Sequence, residues 1–148
     1  NFSVLEENVR FNELRNVQLH NVVAGKHDGR TSFYTPLEHT NGRAYKSDGE
    51  DWRNIIERQV AINRLDTILD GKKIDVLKVD TEGMDLDVLE GMEGAMQNKM
   101  ILVIEVWPST YQGIMSWLEN NRFDIIENQQ LGKDKGFDNI YAVRGISD

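Results

Sequence analysis

The sequence predicts an α/β fold built on a mainly parallel sheet, and three observations carry that prediction. First, the largely apolar run Ile74–Val79 passes directly into a stretch with helical spacing that begins at Met84. Second, another apolar strand follows at Met100–Trp107, and strands that alternate with helices imply crossovers between parallel neighbours. Third, a short polar loop joins Phe123–Glu127 to Ile140–Val143, so this pair must be antiparallel. We therefore expect one reversed strand near the end of the sheet.

The remaining elements follow from local patterns in chain order. Apolar residues at helical spacing predict a helix over Phe2–Leu14, and alternation predicts a strand over Val17–Ala24. Arg30–Thr35 is a further strand, closed by a proline, and the polar stretch Leu37–Asp51 is the longest loop. The other expected elements are a helical turn at Trp52–Ile56, a strand at Val60–Arg64, a helix N-capped by Asp66, a helix over Met84–Met96, and a helix from Pro108 to Asn121.

Composition limits the function. With 148 residues the chain has the size of one domain, and 28% charged against 39% hydrophobic residues fits a globular protein. The net charge of −8 argues against nucleic acid as a partner, because phosphate binding needs clustered Lys and Arg. No apolar stretch approaches the ~20 residues of a membrane helix. The chain has no cysteine, which suits a cytoplasmic location.

Carboxylates follow or end two of the expected strands. Asp80 and Glu82 come directly after Ile74–Val79, and Glu105 is the only charged residue in Met100–Trp107. Open α/β sheets bind ligands at the carboxyl edge of their strands, so these acids are candidate site residues. If strand geometry persists, positions i and i+2 place Asp80 and Glu82 on one face. The alternatives are a helix cap for one of the pair and a structural ion pair for Glu105.

The segments resemble the FkbM family of S-adenosylmethionine-dependent methyltransferases, within the Rossmann-like class. The matching pieces occur in the family's order and cover nearly the whole chain. They are Asn8–Asn12, Asn16-Val17, Asn21–Gly25, Asp28-Gly29, Leu65–Leu69, Ile74–Gly83, Leu89–Gly91, Leu102–Glu105 and Asn139–Arg144. The strand that ends in Asp-x-Glu-Gly and leads into a helix, with Glu105 downstream, is the most specific of them.

This resemblance implies methyl transfer from S-adenosylmethionine to a hydroxyl acceptor on a small molecule, sugar or lipid. Asp80 would face the donor methyl, and Glu82 would position or deprotonate the acceptor. Val23 and Ala24 resemble the positions that border the adenine of the cofactor, and their plain alternative is ordinary core.

Three further residues are candidates for the acceptor side. Glu105 would contact the acceptor, and Trp107 would form a wall of its pocket unless it serves the core or an interface. His39, in the polar loop, is a further candidate base. Asp80, Glu82 and Glu105 could supply oxygen ligands to Mg²⁺, although nothing in their spacing requires a metal.

The resemblance also predicts that the chain is the C-terminal two-thirds of a single methyltransferase domain, residues 1–148. Family members begin with a strand, a glycine-rich turn, a helix and a second strand, none of which has a counterpart here. Their absence would leave bare backbone in the middle of the sheet. Either the natural protein is longer, or the fragment completes its sheet by rearrangement or in a homo-oligomer. The rival function is a non-catalytic, methyltransferase-like interaction module.

Overall fold

The computed structural model describes residues 2–37, 42–44, 54–130 and 138–146. The chain divides into two compact units. Unit 1 comprises Asn1–Val23 and Arg30–Ala61, and unit 2 comprises Ala24–Gly29 and Ile62–Asp148.

The described residues form helices and strands that alternate through most of the chain, which establishes an α/β fold. In chain order they are α1 (Phe2–Phe11), β1 (Val23–Ala24), β2 (Gly29–Pro36), β3 (Ile55–Asn63), α2 (Leu65–Leu69), β4 (Val76–Val79), α3 (Asp85–Glu90), β5 (Met100–Val106), α4 (Tyr111–Asn120), β6 (Asp124–Gln130) and β7 (Asp138–Arg144).

The strands form two sheets rather than the expected one. A three-stranded sheet has the order β1-β3-β2, and a four-stranded sheet has the order β4-β5-β7-β6. The strand expected over Val17–Ala24 is wrong in length, because β1 covers only its last two residues. Most side chains between Val17 and Asn21 are exposed, so their alternation is not matched by a buried face.

The four-stranded sheet of unit 2 confirms the reversed strand. β4 and β5 are parallel, and the register pairs Val76 with Ile101 and Val79 with Ile104. β7 lies between β5 and β6 and is antiparallel to both. Three strands therefore run in one direction and the last strand opposes them. Since two of the three pairings are antiparallel, the sheet is mixed.

One face of this sheet carries the core of unit 2. Along β5, Met100, Leu102, Ile104 and Val106 are buried, whereas Ile101 on the other face is 38% exposed. The buried cluster also includes apolar residues of α3 and α4, which cover the same face: Val88, Leu89, Ile114 and Leu118. Burying each such side chain contributes about 1.5–3 kcal/mol, so this layer holds the strand ends in position.

Four predicted helix boundaries need correction. The helix predicted over Phe2–Leu14 ends at Phe11. The helix predicted over Met84–Met96 is regular only from Asp85 to Glu90, and Gly91 follows as its C-cap. Asp66 lies inside α2 instead of capping it, and its carboxylate accepts a hydrogen bond from the distant Ala95 amide at 2.8 Å. The last helix begins at Tyr111, three residues after Pro108.

The helical turn expected at Trp52–Ile56 is wrong at its end, because Ile55 and Ile56 belong to β3. Residues 51–53 lie outside the described ranges.

Within the described ranges, no helix combines the length and apolar character that crossing a bilayer requires.

Candidate functional site

The carboxyl ends of β4 and β5 meet at one edge of the four-stranded sheet. Their register ends with Val79 opposite Ile104, Asp80 and Glu105 are the next residues along the two strands, and the charge of Asp80 acts on Glu105. Both belong to the sheet face opposite the buried core. The structure therefore brings together two of the acids that the sequence singled out. We call Asp80, Glu82, Asp85 and Glu105 the acidic edge.

Glu105 is the half-buried member of the acidic edge. Burial raises the pKa of its carboxyl above the ordinary value, and the negative charges of Asp80, Asp85 and Glu82 raise it further. The Trp107 indole opposes these effects on the pKa, because Nε1 donates a hydrogen bond of 2.9 Å to Glu105 Oε2. Glu105 is therefore a carboxyl group with a raised pKa at the carboxyl edge of the sheet.

Asp80 is exposed and forms an ion pair with Lys78, whose Nζ lies 2.5 Å from Asp80 Oδ2. The hydrogen bond to Asp80 raises the pKa of Lys78, and the charge of Glu105 adds to that rise. Sequence reasoning missed Lys78. Lys78 lies two residues before Asp80, and residues at this spacing in a strand share a face, so the sequence already indicated that the two side chains could meet.

The loop between β4 and α3 departs from strand geometry. The strand ends at Val79, Glu82 has a left-handed backbone with φ 55°, and Gly83 follows with φ 102°. The expectation that Asp80 and Glu82 share a strand face is therefore wrong, because neither residue belongs to the strand. Both nevertheless lie close enough to Glu105 to influence its charge. Neither caps α3, whose N-cap residue is Met84.

Asp85 is the buried acid of the edge, with 0% of its surface exposed. Its Oδ1 accepts hydrogen bonds from the Thr81 amide at 3.0 Å and the Thr81 hydroxyl at 2.9 Å. Its Oδ2 accepts one from the Gly83 amide at 3.2 Å. From the sequence, the acids Asp85, Asp87, Glu90 and Glu93 are most simply a solvated helix face, and for Asp85 this expectation is wrong. Asp85 stands three and four residues before buried Val88 and Leu89, which places it on the buried stripe.

The other predicted site residues are placed as follows. Trp107 is half-buried and bonded to Glu105, and Ala24 packs against the core of unit 2, which fits its plain alternative. Val23 belongs to unit 1 and is half-buried. His39 lies outside the described residues.

The arrangement suits proton transfer and the attraction of positive charge. Carboxylates of differing exposure stand together, and the half-buried one has the raised pKa that favours a proton-accepting group. In the part of the chain that the structure describes, no group of three or more His, Asp or Glu side chains is arranged to hold a metal ion. The structure thus lends no support to a divalent metal here.

Comparison with known proteins gives one family and one solved structure. The profile of the family described as the methyltransferase FkbM domain matches residues 4–125, most of the chain. The crystal structure of the M1.HpyAVI–SAM complex is similar, with 13% sequence identity and a TM-score of 0.40. That similarity covers 56% of this chain and 50% of the other, so the chain spans about half the length of the structure it matches. No curated protein sequence matches the chain.

Proposed function

The chain belongs to the FkbM methyltransferase domain family, and from that premise we propose that it takes part in S-adenosylmethionine-dependent methylation of a hydroxyl group. The acceptor would be a small molecule, sugar or lipid. The observation that carries the proposal is that Asp80 and Glu105 each directly follow the last registered pair of the parallel strands β4 and β5, at the carboxyl edge where open α/β sheets bind ligands.

The residues present fit a cationic donor. S-adenosylmethionine supplies an electrophilic methyl group on a positively charged sulfur, and the acidic edge provides negative charge beside it. In the proposed site Asp80, which is exposed at the strand end, faces the donor methyl. Ala24, which belongs to unit 2 like Asp80, borders the adenine in this proposal. The finer fold that we propose is a Rossmann-like methyltransferase sheet that includes the order β4-β5-β7-β6, with residues 1–148 as the C-terminal two-thirds of a single domain.

The acceptor side of the proposed mechanism uses Glu82 and Glu105. The acceptor oxygen forms a bond to the methyl carbon as the carbon–sulfur bond breaks, and the hydroxyl proton leaves to a carboxylate. Glu82 positions the hydroxyl or takes this proton, while Glu105 contacts the acceptor and is the second possible base because its pKa is raised. Trp107 orients Glu105 through its indole N–H and forms a wall of the pocket. His39 is retained as a candidate acceptor-binding residue.

The test is methyl transfer by the intact natural protein, with methyl-labelled S-adenosylmethionine and a panel of sugar, lipid and small-molecule hydroxyl acceptors. Asp80→Ala should lower the rate by about 100-fold or more, the scale expected when a positioned catalytic group is lost. Asp75→Ala is the matched control, because Asp75 immediately precedes β4 at its other end and bonds to Gln97. Full activity in Asp80→Ala would refute the role proposed for Asp80.

The second candidate function is a non-catalytic interaction module. It is favoured by one feature of the sequence, since the 148 residues contain no Gly-x-Gly turn for a cofactor. Calorimetry distinguishes the two proposals. Binding of S-adenosylhomocysteine by the natural protein supports the enzyme, whereas complete absence of binding, with the fold intact, supports the module. A homo-oligomer that completes the sheet would appear as a dimer mass in solution.

A further inference from the structure

One buried carboxylate, that of Asp85, has no role in the proposed methyl transfer. Asp85 is the only fully buried charged residue among those that the structure describes. Carboxylates are rarely buried without partners, and Asp85 has three donors for its two oxygens. All three donors come from the loop that carries Glu82.

The donors flank Glu82 on both sides. Two belong to Thr81, directly before it, and one belongs to Gly83, directly after it. Glu82 itself has φ 55°, a conformation that costs a residue with a side chain free energy unless its surroundings impose it. The Asp85 carboxylate therefore ties down the two neighbours of the residue that needs to be held.

The Asp85 end of this link is fixed by the core. Asp85 begins α3, and the next turn of that helix places Val88 and Leu89 in the buried cluster with 3% and 0% exposure. A shift of the carboxylate would therefore require movement of packed side chains. At the other end, Glu82 lies within electrostatic reach of Glu105.

We propose that Asp85 is a positioning residue, whose carboxylate holds Glu82 at the acidic edge beside Glu105 by binding the backbone on both sides of Glu82. The contact of Glu82 with the acceptor rests on the proposed function. The positioning of Glu82 by Asp85 does not rest on it, and this positioning can be tested without any methyl transfer.

The first test is amide hydrogen exchange of the folded chain, compared between wild type and Asp85→Asn. The asparagine can still accept from Thr81 with its oxygen, but its NH₂ group faces the Gly83 amide. We expect exchange at Gly83 to accelerate roughly tenfold or more, while the Leu102 and Ile104 amides of β5 keep their protection. Equal acceleration at all three amides would mean general destabilisation and would overturn the proposal. Asp87→Asn, which affects an exposed pair with Lys26, should leave Gly83 unchanged.

The second test is a double-variant cycle on the Glu105 carboxyl, followed by its ¹³C resonance against pH. Glu82→Gln should lower the Glu105 titration midpoint in the wild-type background, because the charge of Glu82 raises it. In Asp85→Asn the same change should have a much smaller effect, since Glu82 is no longer held nearby. Equal effects in both backgrounds would show that Asp85 does not position Glu82.

A milder pair of variants keeps the test decisive if Asp85→Asn fails to fold. Thr81→Val removes only the hydroxyl donor to Asp85, and Thr81→Ser retains it. Faster Gly83 exchange in Thr81→Val, with normal exchange in Thr81→Ser, supports the proposal. Identical exchange in both variants contradicts it. None of these measurements depends on methylation, so failure of the proposed function would leave their outcome unaffected.

Discussion

The Trp107 indole donates a hydrogen bond of 2.9 Å from Nε1 to Oε2 of Glu105, two residues earlier in the chain. This bond favours the ionised carboxylate, whereas burial and three neighbouring acids favour the protonated one. The charge of Glu105 at a given pH is therefore set by a balance of opposing effects, and each effect can be changed separately.

Removing the indole donor should raise the pKa of Glu105 further. Trp107→Phe keeps an aromatic ring but leaves Oε2 without that hydrogen bond, so the protonated form gains. The measurement is the ¹³C titration of the Glu105 carboxyl. Trp117→Phe is the control, because Trp117 packs against Phe123 with ring centroids 5.6 Å apart, and it should leave the midpoint in place. A midpoint that falls or stays constant in Trp107→Phe would contradict the assigned role of the indole.

The raised pKa of Glu105 also predicts how stability depends on pH. The folded state binds this proton more tightly than the unfolded chain does, so its contribution is complete below the ordinary value of 4.5. The contribution is lost as pH rises through the raised folded pKa. The glutamine in Glu105→Gln cannot ionise, so the variant does not lose this contribution. The free energy of unfolding of Glu105→Gln minus that of the wild type should therefore increase as pH rises through this window and stay constant above it.

Urea unfolding at a series of pH values measures the difference between Glu105→Gln and wild type. The exposed residue Glu119 supplies a matched Glu→Gln control on α4, for which no comparable gain is expected. A difference that shrinks as pH rises would mean that the sign of the Glu105 effect is opposite to the one inferred here.

The elements that sequence reasoning predicted well are those with strong and simple patterns. β5 is an almost continuous apolar run. The polar loop before β7 is too short for a parallel crossover, so β6 and β7 had to be antiparallel. The acids at the strand ends were predictable for the same reason, because the strands themselves were clear. β1 was overestimated because alternation alone does not show whether a face is buried.

What remained hidden depends on contacts distant in the chain or on loop backbone. Aspartate is a residue type that often caps helices, but the Asp66 carboxylate accepts a hydrogen bond from the Ala95 amide, 29 residues away. The left-handed backbone at Glu82 could not be foreseen, since glutamate does not favour it. Asp85 was misassigned because a charged residue was taken as exposed, although its spacing to Val88 and Leu89 indicated the buried stripe.

The end of α3 depends on a close approach that only glycine allows. A Cβ atom on Gly91 would lie 2.1 Å from the Gly25 carbonyl oxygen, and the Gly25 amide is itself bonded to Asn63. Gly91→Ala should therefore cost about 3 kcal/mol or more of unfolding free energy, because backbone atoms cannot rotate away from the clash. Its φ of −92° suits alanine, so the loss reports sterics alone.

Gly94→Ala is the matched control for this steric prediction. There the nearest atom is Asp66 Oδ1 at 3.2 Å, so a shift of a few tenths of an ångström relieves the contact. The two losses are compared by denaturant unfolding. Similar small losses for both substitutions would show that the Gly25 segment is free to move away from α3.

Asp28 should stabilise unit 2 in a pH-dependent way. Its carboxylate accepts hydrogen bonds from the Arg64 amide at 2.9 Å, the Thr67 hydroxyl at 2.8 Å and the Asn63 amide group at 3.1 Å. These bonds, led by that from the Arg64 backbone, lower the pKa of Asp28 below its ordinary value of 3.8. The contribution is therefore complete above 3.8 and disappears as pH falls through the lowered folded pKa.

Asp28→Asn should accordingly lower the free energy of unfolding at neutral pH, and the deficit should close as the solution is acidified through that window. Asp124→Asn is the control, since Asp124 is exposed at the start of β6. Thermal or urea unfolding at neutral and acidic pH measures both variants. A deficit that stays constant down to pH values below the folded pKa would mean that Asp28 acts through shape alone. Because the bonds of Asp28 join the Ala24–Gly29 segment to α2, the deficit at neutral pH should be accompanied by faster amide exchange at Arg64.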